Sequence, residues 1–116
     1  MANIPTEETT LFRERILLLM ITTKKTLDLL IKLADGLAAQ FGENCEIVIH
    51  DLTKKDFEHS IAYIKNGHVS NREQGDGPSA IVIETINKSP ETLQDQLAYL
   101  TKTSDGRILK SSTMYI

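Results

Sequence analysis

Residues 99–116 read YLTKTSDGRILKSSTMYI, and this stretch carries the clearest structural signal in the chain. The dipeptide Asp105-Gly106 lies between two β-prone runs and favours a two-residue turn whose central residues need positive φ. A second hairpin signal, Asn66-Gly67, follows residues 60–65 and predicts their pairing with residues 68–71. Two such turns in one small chain predict an antiparallel sheet.

Length and composition predict one globular domain over residues 1–116. The chain has 116 residues, of which 41% are apolar, and this suffices for a single buried core. The net charge is −3 and the pI is about 5.6, so no basic surface for nucleic acid is predicted. DNA contacts, if the protein makes any, are expected from another segment.

The cysteine count and the lengths of the apolar runs indicate the cellular location of the protein. Cys45 is alone in the sequence, which excludes an internal disulfide and a thiolate-rich structural zinc site. The longest apolar run, residues 16–21, is six residues long, against roughly 20 for a membrane-spanning helix. The first residues also lack the pattern of a signal peptide. We therefore expect a cytoplasmic protein with no membrane partner.

Residues 10–41 are predicted to form one long N-terminal helix. Apolar side chains recur at helical spacing from Leu27 to Phe41, and Gly42 supplies a stop signal. The block before them is apolar on every side of a helix, and such a helix must be covered all round. A second chain is the favoured cover, and a deeply buried core helix is the alternative. The predicted dimer interface is Ile16, Leu17, Leu18, Leu19, Met20 and Ile21.

Residues 43–116 are predicted to form the sheet and short helices. Residues 43–52 alternate as a strand, with Cys45 on one face and His50 on the other. Pro78 favours a short helix over 79–86, although the same residues suit a strand. A helical turn near 90–95 and a strand from about 97 complete the prediction.

The side chains that could carry chemistry form no catalytic pattern. His50, His59 and His68 could bind zinc in a small metal-dependent enzyme, but their spacing has no mechanical meaning and ordinary pocket histidines are favoured. Residues 111–113 are consecutive hydroxyls without a nucleophile elbow. We predict no enzyme activity, no cofactor and no metal.

Three blocks occur in an order that resembles the YheO-like PAS domain family. They are residues 41–52 (FGENCEIVIHDL), 64–70 (IKNGHVS) and 103–113 (TSDGRILKSST). The resemblance implies a sensor domain of bacterial transcription regulators, followed in such proteins by a helix-turn-helix domain that binds DNA. It also implies an α+β fold, in which short helices cover one face of an antiparallel sheet around a small-molecule pocket.

Site residues are carried over from the resemblance at matching positions. The implied pocket candidates are His50, Asn66, His68, Ser111 and Thr113. Turn chemistry alone also explains Asn66. Long helices before PAS domains commonly form dimer contacts, which agrees with the apolar block at 16–21.

The sequence departs from the family pattern at its C-terminal end. The pattern continues into one more β-segment after Ile116, and in a PAS sheet that strand is central, between the first and the fourth. We expect its place to be filled by another chain or a rearranged sheet, or the chain to be incomplete. The helix-turn-helix segment is absent too, so DNA binding is expected only through that missing C-terminal domain.

Three functions follow, in order of preference. The first is a sensory domain that binds a small molecule and signals through a homodimer. The second is a purely structural dimerisation domain whose interior is filled by its own side chains. The third is the metal-dependent enzyme built on the three histidines.

Overall fold

The computed structural model describes residues 13–20, 25–53, 59–71, 87, 93–103 and 105–116. These residues form a mixed five-stranded sheet with one α-helix, an α+β architecture compatible with a PAS fold. The strand order is β3-β2-β1-β5-β4. The elements are β1 (Arg13–Met20), α1 (Lys25–Phe41), β2 (Cys45–Asp51), β3 (Ile61–Lys65), β4 (Gln96–Lys102) and β5 (Ile108–Tyr115).

The apolar block near the N-terminus forms the central strand, so the prediction of a helix over 10–41 is wrong for residues 13–20. β1 lies parallel to both neighbours, with Leu17 in register with Val48 of β2 and Thr113 of β5. A strand buried on both faces is a continuous apolar run, which periodicity cannot distinguish from a buried helix. The cover that the block requires comes from the two sides of its own domain.

The central position in the sheet is taken by β1. β1 lies between β2 and β5, the place that the resemblance gives to a final strand. Flanking main-chain bonds extend the ladder: Glu14 N donates to Asn44 O at 3.0 Å and Ile116 N donates to Leu19 O at 3.0 Å. Because β1 is parallel to its neighbours, the sheet is mixed, and the expectation of a purely antiparallel sheet is corrected.

The second half of the predicted helix is confirmed as α1. It ends at Phe41, and Gly42 follows with φ of 84°, where its N–H donates to Ala38 O at 2.9 Å. Leu30 and Ala34 are buried against the sheet. The apolar core between α1 and the sheet comprises Leu18, Met20, Leu30, Ala34, Cys45, Ile47 and Ile49.

Only one of the two predicted hairpins forms. A hairpin joins β4 to β5 at the predicted place, but its turn is longer than the predicted two-residue one: Gly106 N donates to Thr103 O at 3.0 Å and Thr103 N donates to Arg107 O at 2.8 Å. Gly106 takes φ of 91°, whereas Asp105 does not take the predicted positive φ. Asn66 also has positive φ, at 58°, but it leads into a 3₁₀ turn over Gly67–Val69, so no strand follows at 68–71. Tertiary bonds decide this: Asn66 Nδ2 donates to Cys45 O at 2.8 Å and to Gly42 O at 3.2 Å.

The structure describes only some of the residues in the remaining predicted segments. The short helix at 79–86 lies outside the described residues. Of the helical turn near 90–95, residues 93–95 are described and have no regular secondary structure. The strand from about 97 is confirmed as β4, and the strand at 43–52 is confirmed as β2.

Candidate ligand-binding face

The sheet has a second buried face, opposite α1, that carries both polar and apolar side chains. Alternation along three adjacent strands places these residues together, because the register aligns β1 with β2 and with β5. All of them are buried. This polar face comprises Arg15, Leu17, Leu19, Glu46, Val48, His50, Leu109, Ser111 and Thr113.

A charged row crosses the centre of the polar face. Arg15 is in register with Glu46 on one side and with Ser111 on the other. Arg15 is 9% exposed and Glu46 is 0% exposed, so unlike charges lie side by side out of water. Burial of either charge carries a large desolvation penalty unless the group is paired or hydrogen-bonded.

Glu46 also anchors the turn that follows β3. Its Oε2 accepts hydrogen bonds from Ser70 N at 3.0 Å and from Ser70 Oγ at 2.5 Å. Bonds to an ionised carboxylate are stronger than neutral ones. The carboxylate therefore links the charged row to the 3₁₀ turn.

His50 lies further along β2 on the same face. It is 1% exposed, and its Nδ1 is 2.9 Å from the Oγ of Ser60, which is also buried. A bulge between β2 and β3 at this point changes the register so that His50 is opposite Ile61. The imidazole is thus held from the edge of the sheet and directed across the polar face.

The hydroxyls of β5 are bonded to the neighbouring strand. Ser111 Oγ lies 2.8 Å from Thr101 Oγ1, and Thr113 Oγ1 lies 2.5 Å from Tyr99 Oη. All four residues point to the same side of the β4–β5 pair. These bonds extend the polar face onto β4.

The structure brings together three of the five predicted pocket residues: His50, Ser111 and Thr113. The side-chain amide of Asn66 donates hydrogen bonds to backbone carbonyls at and just before the start of β2. His68 is exposed in the 3₁₀ turn. Sequence reasoning missed Arg15 because it lay within a predicted helix, although its register with Ser111 follows once β1 is a strand. Glu46 had a usable signal, since alternation already placed it beside His50.

Comparison with known proteins identifies the family. The YheO-like PAS domain family matches residues 21–116, which is most of the chain. The chain belongs to this family. An uncharacterized protein of Haemophilus influenzae is 35% identical to the chain over 83 residues, which are 71% of this chain and 36% of that relative. No solved structure matches.

Membership of a PAS family indicates a regulatory domain and agrees with the sequence-based prediction of the family. The chain spans about 36% of the length of the Haemophilus influenzae relative. In the described part of the chain, no helix is long and apolar enough to cross a membrane.

The three histidines considered as alternative metal ligands differ in their exposure to solvent. His50 is buried on the polar face, whereas His59 and His68 are exposed. Among the described residues, no group of three or more His, Cys, Asp or Glu side chains is placed to hold a metal ion.

Cys45 behaves as a small apolar core residue. It is 2% exposed, and burial, followed by the nearby charges of Glu14 and Glu46, raises the pKa of its thiol to about 11. The thiolate is the reactive form of cysteine. At neutral pH the side chain is therefore an inert thiol within the core beneath α1.

Most of the predicted dimer residues are buried within the single chain. Four of them are 5% exposed or less, Ile16 is half-buried, and Ile21 lies outside the described residues. The four buried ones are Leu17, Leu18, Leu19 and Met20. These four residues form part of a strand and not of the predicted helix, and their role in a dimer stays a prediction, as does dimerisation of the domain itself.

Proposed function

We propose that this chain is the sensory domain of a bacterial transcription regulator and that it binds a small polar molecule against the polar face of its sheet. The observation that carries the proposal is the charged row formed by Arg15, Glu46 and Ser111 at the centre of the sheet. Family membership supports the regulatory role. A polar ligand fits here because both donors and acceptors converge on one face.

Energetics support a role in recognition for this row. Buried charged side chains lose their hydration, and apolar residues of similar volume often stabilise a core as well or better. Arg15 and Glu46 nevertheless occupy the centre of a small domain whose opposite face is almost wholly apolar. Recognition of a polar or charged ligand explains their presence better than stability does.

Signalling requires that the ligand prefer one of two arrangements of the domain. A ligand shifts such an equilibrium only by its difference in affinity for the two states, and a few kcal/mol are needed for a nearly complete switch. In this proposal the domain acts in the cytoplasm as a homodimer. DNA binding belongs to a C-terminal helix-turn-helix domain in the remainder of a longer regulator.

A metabolite screen read by thermal unfolding tests the proposal. A ligand present at a hundred times its dissociation constant stabilises the folded state by about 2.7 kcal/mol. The response should weaken in Ser111→Ala, which alters the polar face, and persist in Ser112→Ala. The latter is the matched control, because Ser112 lies on the opposite side of β5 and accepts a bond from Ala98 N at 3.0 Å.

Native mass spectrometry of the same samples adds the oligomeric state. A homodimer whose ligand response depends on Ser111 supports the sensory role. A monomer that responds to no polar metabolite contradicts it.

The second candidate is a purely structural dimerisation domain. A specific observation favours it: Ser111, Thr113 and His50 already have hydroxyl partners within the protein. If the interior is filled in this way, the domain dimerises and no library member changes its unfolding temperature. The screen therefore separates the two functions directly.

A further inference from the structure

We infer that a cleft at the β4–β5 turn is a second binding site, specific for a small molecule that carries a carboxylate or phosphate group. The cleft has a volume of about 330 Å³. It is formed where the first residue of β1 meets the hairpin. Its lining residues are Arg13, Asp105, Gly106, Arg107 and Ile108.

Arg13 supplies a hydrogen-bond donor that has no partner in the site. It begins β1, is half-buried, and is in register with Leu109 of β5. Its Nη1 atom is buried and has no hydrogen-bond partner among the described residues. Buried donors in folded proteins are nearly always satisfied, by protein, water or ligand. An acceptor that enters the cleft would satisfy this one.

The charge balance of the cleft favours an anion. Arg107 Nε donates to Asp105 Oδ1 at 3.1 Å and to Oδ2 at 3.0 Å, so this pair is internally neutralised. Hydrogen bonds from Thr103 and then Arg107 lower the pKa of Asp105, which keeps the carboxylate ionised as the partner of Arg107. Two guanidinium groups and one carboxylate leave a net positive charge, and Arg13 carries it.

The lining also indicates the form of the ligand. A guanidinium matches the two oxygens of a carboxylate or phosphate through parallel N–H bonds. Ile108 is 59% exposed and offers an apolar wall, while Gly106 has no side chain to fill the cleft. The volume lies near the lower end of the range for small-molecule sites. We therefore expect a compact molecule with one oxyanion and one apolar part.

This cleft is separate from the His50 end of the polar face. His50 is in register with Leu19, which is six residues beyond Arg13 on β1. At the rise of a strand this separation is roughly 20 Å. Arg13 lies two residues from Arg15 on the same face of β1, so the cleft adjoins the charged row. The cleft goes beyond the proposed function, and variants at Arg13 and Ser111 distinguish the failure of one site from the failure of the other.

Amide NMR of the intact chain tests the cleft with defined probes: benzoate, its neutral analogue benzamide, acetate and inorganic phosphate. We expect benzoate to cause saturable shifts at the amides of Gly106 and Arg107, and benzamide to cause none. Acetate and phosphate should compete with benzoate, and their relative strength shows which oxyanion the guanidinium prefers. Arg13→Gln should weaken benzoate binding by about tenfold or more, since a charge-assisted bond is lost.

Matched variants keep the test falsifiable. Lys110→Gln removes the same charge from an exposed residue of β5 that does not line the cleft, and it should leave binding unchanged. Arg107 lies in an exposed turn, so Arg107→Gln is a second cleft variant whose benzoate binding can be measured if Arg13→Gln unfolds the domain. Ser111→Ala should alter the metabolite response of the polar face while benzoate affinity is kept. Equal binding of benzamide and benzoate, or an equal effect of Lys110→Gln and Arg13→Gln, would overturn the inference, as would the absence of any saturable shift.

Discussion

The two faces of the central sheet are buried to a similar degree but differ in their chemistry. On the α1 side, residues such as Leu18, Ile47 and Ile49 pack into one apolar core. On the other side, neighbouring residues of the same strands include Arg15, Glu46 and His50. The comparison indicates that the apolar face supplies most of the stability, and the polar face is the one to which we assign recognition in our proposal.

The largest expected effect comes from the apolar face. Ile47→Ala removes a side chain with 0% exposure and should lower the free energy of unfolding by about 3 kcal/mol, through lost burial and a cavity. Urea denaturation measures the change. Leu33→Ala on α1, where the side chain is 50% exposed, is the control and should stay within about 0.5 kcal/mol. Equal effects of the two variants would contradict the assignment of the core.

The polar face should be less sensitive even at its charged row. Glu46→Gln removes the negative charge that accepts two bonds from Ser70, and it should cost about 2 kcal/mol. A double-mutant cycle with Ser70→Ala, read by urea denaturation, should give clearly non-additive changes. Additive changes would show that the Ser70 bonds do not contribute.

The hydroxyl hydrogen bonds of β5 should contribute less to the free energy of unfolding than the Glu46 bonds do. Thr113→Val keeps the shape of the side chain but loses the bond to Tyr99, and it should cost about 1 kcal/mol. Tyr99→Phe removes the same bond from the other side, so the double variant should cost little more than either single one. A loss above that of Ile47→Ala would reverse the comparison between the faces.

The thiol of Cys45 gives an effect no larger than that of the hydroxyl bonds, and it is seen only at alkaline pH. Its pKa is raised to about 11 in the folded state, so the stability linked to the thiol is fully present below about pH 9. It is lost as pH rises towards 11, because the unfolded chain ionises first. Between pH 9 and pH 10 we expect a loss of roughly 1 kcal/mol relative to Cys45→Ala. Parallel urea titrations of both proteins at pH 8, 9 and 10 measure it, and identical pH profiles would refute the shift.

The elements that local signals define were predictable from the sequence. Asp105-Gly106 marks the hairpin between β4 and β5, where Gly106 takes positive φ, and alternation from Cys45 to Asp51 assigns each side chain of β2 to a face. Alternation along residues 111–113 likewise places Ser112 on the opposite face of β5 from its two neighbours. These predictions depended only on backbone geometry within one short segment.

The parts that depend on tertiary partners were not predictable in this way. Residues 16–20 are apolar throughout, so only the presence of two flanking strands reveals that they form β1. Asn66-Gly67 is an equally good hairpin signal on its own, and the bonds of Asn66 to the start of β2 redirect it. The cleft at Arg13 had no signal, because it needs the first strand and the last hairpin to meet.

The parallel pairing of β1 with β5 also has a consequence for biosynthesis. Leu17 and Thr113 are register partners although they lie at opposite ends of the chain. Contacts between such distant residues require closure of a very long loop, and proteins rich in them fold slowly. While the ribosome is still adding residues 108–115, the apolar segment that becomes β1 can pair with β2 but not yet with β5. Nascent chains of this protein should therefore rely on chaperones until synthesis has passed β5.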